Sequence, residues 1–106
     1  MTITWFHVSY DADVIHLSVR PPRQDSWSVD LPWPSIVKVC WRAGDADTSH
    51  GLYVFTDLGP DSVAIPTDAI GGPELLAELI RRDLFDEALA SRAAKSTIGL
   101  FCWPPD

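Results

Sequence analysis

The sequence predicts an α+β fold, in which an antiparallel meander of five or six strands is followed by one or two C-terminal helices and an extended tail. Three observations predict it. The first two-thirds of the chain alternates apolar and polar residues and is rich in β-branched and aromatic types. Gly71-Gly72-Pro73 then opens a stretch with apolar residues at helical spacing. Residues 97–106 form an apolar tail.

Length and charge exclude several classes of protein. The chain has 106 residues, which is enough for one domain, and we assign residues 1–106 to a single one. The formal net charge is −7, which disfavours binding to the phosphate backbone of nucleic acids. No apolar stretch approaches the ~20 residues of a spanning helix, so we expect no membrane partner.

The first strands are predicted to form a hairpin over residues 2–9 and 13–20. If residues 10–13 form the loop, the residue numbers of two paired positions add up to 23. Every second side chain then shares one apolar face, while His7 lies opposite His16 on the polar face.

The strands that follow are separated by turns rich in Pro, Gly and Asp. In the clearest of them Val37, Val39 and Trp41 share one face, and Lys38 and Arg42 share the other. The segment Pro-Trp-Pro at 32–34 precedes this strand. It is predicted to be a bend, because proline has no N–H to donate to a sheet. The predicted strands cover residues 26–30, 35–42, 52–56 and 62–66.

Two helices are expected after the strands. Pro73 suits the first helical position, and Glu78 and Arg82 are spaced as an i,i+4 pair, which we place on the exposed side. A second helix over residues 86–95 has Asp86 as its cap. One version of this architecture is a strongly bent sheet closed by a terminal helix, as in pleckstrin-homology domains.

Cys40 and Cys102 are the two cysteines of the chain. A small secreted scaffold usually carries more, and the first residues lack the basic and apolar regions of a signal peptide. We therefore expect two reduced thiols in a cytoplasmic protein.

Several segments together resemble a family of small uncharacterised bacterial proteins, a domain of unknown function. The match covers about residues 27–104. The resemblance implies a bacterial cytoplasmic protein, and it brings no activity, cofactor or catalytic residue. The segments that carry it are residues 36–45, 52–56, 64–69, Gly71-Gly72, 81–90 and 99–104.

A metal site is the sharpest chemical alternative. His7 and His16 are paired in the predicted hairpin, and Asp45, Asp47 and His50 follow in one loop. Catalytic metal sites usually need three protein ligands, and Asp, Ser and Gly are ordinary turn formers. We therefore expect no metal, no cofactor and no catalytic residue, and keep a metal-dependent protein or hydrolase as the alternative.

The function predicted first is a non-enzymatic protein–protein interaction module. Its partner is another protein, with a basic one favoured by the acidic charge, as in immunity-type neutralisation. Trp5 and Trp33 are the candidate aromatic contacts, and Asp45 and Asp47 the candidate charged ones. A further alternative is a self-associating structural subunit, such as a homodimer in which the tail over residues 97–106 crosses to a second copy.

Overall fold

The computed structural model describes residues 3–45 and 49–105 and confirms the α+β class. Within these residues the chain forms two four-stranded sheets, two α-helices and one 3-10 turn. The elements in chain order are β1 (Ile3–Tyr10), β2 (Val14–Val19), β3 (Trp27–Pro32), the 3-10 turn (Trp33–Ser35), β4 (Ile36–Arg42), β5 (Gly51–Thr56), β6 (Ser62–Pro66), β7 (Ala69–Ile70), α1 (Gly72–Arg81), α2 (Glu87–Lys95) and β8 (Leu100–Trp103).

The first sheet has the strand order β3-β2-β1-β7. β1, β2 and β3 are antiparallel neighbours, as the meander requires, whereas the short β7 pairs with β1 in parallel. The sequence did not predict β7, because two residues carry no periodicity. A purely antiparallel meander is therefore only part of the architecture.

The register of the first hairpin differs from the predicted one by two residues. His7 lies opposite Ser18, and His16 lies opposite Ser9, so the predicted pairing of the two histidines is wrong. The Asp11 carboxylate explains the shift, because it accepts hydrogen bonds from the backbone N–H groups of Asp13 and Val14 and shapes the turn. A shift of two leaves every side chain on its predicted face.

The second sheet has the order β6-β5-β4-β8, with β5 in its interior as expected. β4 contains a bulge between Ile36 and Lys38. The bulge turns Ile36 into the core and leaves Val37 exposed, which corrects the predicted inward face of that strand. β8 pairs with β4, so the predicted tail forms an edge strand of the second sheet. The crossing of the tail to a second copy stays a prediction.

A disulfide joins Cys40 to Cys102 across β4 and β8. The two residues are directly opposite in the register, and their Cα atoms are 4.0 Å apart. The expectation of two reduced thiols is therefore wrong. It rested on the number of cysteines, whereas pairing depends on which strands become neighbours.

The predicted helix starts are confirmed. Gly71 precedes α1 with φ of 84°, and a Cβ there would lie 1.9 Å from the carbonyl oxygen of Val8, so only glycine fits. Asp86 caps α2 by accepting a hydrogen bond from the backbone N–H of Leu89 at 2.9 Å. No helix among the described residues is long and apolar enough to cross a membrane.

Glu78 on α1 is buried, with 8% of its surface exposed, which corrects its predicted position on the exposed side. Its carboxylate accepts hydrogen bonds from Arg81 Nε at 2.8 Å and Arg82 Nε at 2.7 Å. These guanidinium groups, Arg81 first, lower the pKa of Glu78 to about 2. The buried charge is therefore paired.

One hydrophobic core takes side chains from both sheets and both helices. Its members are the residues that alternate onto the inner face of each strand and the inner stripe of each helix. The largest contributors are Phe6, Ile15, Leu17, Val39, Trp41, Leu52, Val54, Ile65, Leu75, Leu79 and Phe85.

We predict that the double variant Cys40→Ser/Cys102→Ser unfolds about 4 kcal/mol more easily than the oxidised protein. The disulfide closes a loop with a sequence separation of 62, and releasing it returns that loop's entropy to the unfolded chain. Denaturant unfolding with and without reductant measures the difference. Reductant should weaken the wild type and leave the double variant unchanged. Two titratable thiols in the folded, air-oxidised protein would contradict the assignment.

Candidate functional site

A cleft of about 230 Å³ lies where the start of β1 approaches β4, β5 and β6. Arg42, Gly51 and Pro66 are neighbours across β4, β5 and β6, so they lie side by side in its wall. The remaining wall is mostly apolar, which keeps water from competing for the polar groups. Its apolar residues are Ile3, Trp5, Phe6, Ala64, Ile65 and Pro66.

Arg42 supplies the positive charge of the cleft. Its Nε donates a hydrogen bond to Tyr53 Oη at 3.1 Å, and its Nη2 donates one to the carbonyl oxygen of Ser49 at 3.3 Å. These bonds use two of the five N–H donors of a guanidinium. Among the described residues no carboxylate forms an ion pair with Arg42.

Gly51 lies beside this arginine. A Cβ at position 51 would lie 3.4 Å from Arg42 Nη2, in ordinary van der Waals contact, so the guanidinium packs along the strand next to Gly51. Gly51 and Arg42 are partners in the register of β4 and β5, and the Tyr53 hydroxyl approaches from the same strand as Gly51. The guanidinium is therefore held in one orientation beside the cleft.

His50, at the end of the loop before β5, also lines the cleft. Its Nδ1 accepts hydrogen bonds from Trp41 Nε1 at 3.0 Å and from the backbone N–H of Gly44 at 3.1 Å. An imidazole nitrogen that accepts two hydrogen bonds carries no proton, so Nε2 carries it. His50 is then a neutral donor at Nε2, and it is not available as a metal ligand through Nδ1.

Two partly exposed tryptophans lie near the buried Phe6. Trp27 shares the face of Phe6, because both are register partners of Val19. Trp5, in contrast, precedes Phe6 in β1 and alternates onto the opposite face. The ring centroids of Trp5 and Trp27 lie 6.1 and 6.0 Å from that of Phe6, and the two tryptophans are 37% and 44% exposed. We call Trp5 and Trp27 the tryptophan surface. Trp27 also begins β3, the outermost strand of the first sheet, so one side of its backbone faces away from the sheet.

Trp33 does not belong to this surface, although the sequence paired it with Trp5. Only 6% of its surface is exposed. Its indole N–H donates to the carbonyl oxygen of Asp11 at 2.8 Å, and the Arg82 guanidinium lies 4.0 Å above the ring. The Pro-Trp-Pro bend therefore marks a buried anchor, while the aromatic residue that joins Trp5 at the surface is Trp27.

His16 lies between two carboxylates on the outer face of the first sheet. Its Nε2 is 3.0 Å from Asp11 Oδ2 and its Nδ1 is 2.7 Å from Asp30 Oδ1. The hydrogen bond with Asp11, followed by that with Asp30, raises the pKa of His16. The same contact with His16, together with the backbone N–H groups of the turn, lowers the pKa of Asp11 to about 2.

Of the other predicted site residues, the structure describes Asp45 and His50. Asp45 is exposed, His50 is held by Trp41, and Asp47 lies outside the described residues. In the part of the chain that the structure describes, no three His, Cys, Asp or Glu side chains are placed to hold a metal ion. The loop as a contact for a partner stays a prediction.

Comparison of the chain with protein-family models, with curated proteins and with solved structures finds no match. The resemblance to a family of small bacterial proteins therefore stays a prediction, and the functional argument depends on the geometry.

We predict that His16 stabilises the fold in a limited pH range. Because the pKa of His16 is raised in the folded protein, its contribution to stability is complete below pH 6.5. This contribution disappears as the pH rises through the pKa of the folded state. The lowered pKa of Asp11 means that its contribution disappears as the pH falls from 3.8 to about 2. His16→Gln should therefore destabilise the protein more at about pH 5 than at about pH 9, measured by denaturant unfolding.

His7→Gln is the matched control, because His7 is exposed on the same face and forms no ion pair with any described residue. Equal destabilisation by His16→Gln at both pH values would contradict the assigned ion pairs.

Proposed function

We propose that this protein is a non-enzymatic protein-interaction module that binds its partner through the tryptophan surface. The observation that carries the proposal is the exposure of Trp5 and Trp27, whose rings lie 6.1 and 6.0 Å from that of Phe6 on the two faces of the first sheet, with more than a third of each exposed. Exposed tryptophans are costly in water and are enriched among the residues that dominate binding energy.

The backbone beside the surface supports a binding mode. β3 has one open edge, and Trp27 stands at its first position. An extended segment of a partner can add to such an edge by main-chain hydrogen bonds, while its side chains contact neighbouring pockets. Trp27 would then be covered by the added strand.

The acidic charge of the protein favours a basic partner. The formal net charge of −7 attracts a basic protein over long distances and speeds its association. Neutralisation of a basic partner, as by an immunity-type protein, is the role that this combination suggests.

The disulfide between Cys40 and Cys102 favours an oxidising compartment over the cytoplasm expected from the sequence. The pleckstrin-homology-like version of the fold stays a prediction, and the proposal does not depend on it.

We predict that Trp27→Ala weakens partner binding by about 30-fold or more, the loss typical of a central interface residue. The immobilised protein is used to capture partners from a lysate of the source organism, and the captured protein is then purified and titrated against each variant. Leu58→Ala is the matched control, because Leu58 is 69% exposed in the turn between β5 and β6.

The expected result is one stoichiometric partner that loses affinity with Trp27→Ala and keeps it with Leu58→Ala. A partner that binds both variants equally would show that the contact lies elsewhere. Complete failure to capture a protein, with folded bait recovered, would contradict the proposed function.

A further inference from the structure

The geometry points to a second site, which shares only Trp5 with the tryptophan surface: we infer that the cleft beside Arg42 binds a small monocarboxylic acid with an apolar body. This goes beyond the proposed function, because the tryptophan surface recognises a protein and the cleft recognises a charged group. Its residues come from β1, β4, β5 and β6, with His50 from the loop before β5.

The charge of the ligand follows from the polar groups. The Arg42 guanidinium is half-buried and is held by two neutral acceptors, the Tyr53 hydroxyl and the Ser49 carbonyl. A half-buried cation that forms no ion pair with any described residue gains most from an anion that it can bind by charge-assisted hydrogen bonds. His50 adds a neutral N–H donor at Nε2, because its Nδ1 is occupied. The cleft therefore favours an acceptor over a donor.

The number of charges selects a carboxylate. Arg42 is the one cationic side chain among the described residues that line the cleft, since His50 is neutral. A single guanidinium matches a monoanion, and its planar fork matches the two oxygens of a carboxylate. A phosphate dianion would leave charge uncompensated between apolar walls.

Size and shape select a small molecule. The cleft has a volume of about 230 Å³, below the roughly 300–1,000 Å³ of sites for drug-sized ligands. Ile3, Trp5 and Ile65 offer apolar contact to a body no larger than one side chain. Pro66, at the end of the edge strand β6, has no N–H, so this edge lacks a donor that an added peptide strand would use.

The test uses 3-phenylpropionate as the probe and its neutral amide, 3-phenylpropionamide, as the matched control ligand. Titration followed by backbone amide NMR shifts should give a dissociation constant on the order of 1 mM for the acid, as expected for so small a ligand. The amide should bind at least about 10-fold more weakly, because it cannot form the charge-assisted bond. The shifts should concentrate at the residues of the cleft.

Arg42→Gln should weaken binding of the acid by about 10- to 100-fold and remove the difference between acid and amide. Arg20→Gln is the matched control, since Arg20 does not line the cleft. If Arg42→Gln fails to fold, Ala64→Leu tests the same site. Ala64 is exposed on the cleft wall. A larger side chain there fills the space and leaves the charge of Arg42 unchanged.

Three results would overturn the inference. Equal binding of acid and amide would remove the role of the charge, and unchanged binding in Arg42→Gln or Ala64→Leu would place the probe elsewhere. A peptide ending in a free phenylalanine carboxylate that binds more than about 10-fold tighter than the probe would make a chain terminus the ligand. Trp27→Ala should leave probe binding unchanged, which separates this test from that of the proposed function.

Discussion

Trp33 is the anchor on which the arrangement of the two sheets depends. It begins the 3-10 turn through which the chain passes from β3 to β4. Its backbone N–H donates to the carbonyl oxygen of Asp13, and its indole N–H donates to that of Asp11, so the link is tied to the β1–β2 turn. Arg82 covers the ring from the end of α1. A buried tryptophan with a satisfied N–H contributes a large apolar area at no polar cost. The segment that links the two sheets is therefore held by the β1–β2 turn and by Arg82.

The two half-buried arginines of the fold, Arg82 and Arg42, differ in the groups that surround their charge. Arg82 stacks on Trp33, and its charge is compensated by the buried carboxylate of Glu78. This arrangement serves stability, because the two opposite charges are paired inside the protein. Arg42 is oriented just as firmly, by Tyr53 and Ser49, but neither of these carries a charge. An oriented cation that forms no ion pair within residues 3–45 and 49–105 is preorganised for an external anion, and this difference is why the cleft is the stronger candidate for a ligand.

The sequence predicted the features that depend on local pattern. Alternation over β1 and β2 identified the inner faces correctly even though the register was displaced by two residues, because period 2 is insensitive to such a shift. The cap at Asp86 and the glycine before α1 follow from local backbone chemistry, and both were found. The disulfide was missed because Cys40 and Cys102 become neighbours only when the tail adds to β4. No count of cysteines contains that information.

The candidate sites could not be predicted for a related reason. The cleft draws on four strands, and its chemistry depends on the hydrogen-bond partners of Arg42 and on the proton position of His50. Neither property is visible in the residue type alone. The tryptophans differ in the same way: Trp33 and Trp27 are equally apolar, but Trp33 is buried, with its indole N–H bonded to Asp11 and Arg82 over its ring, whereas Trp27 is 44% exposed.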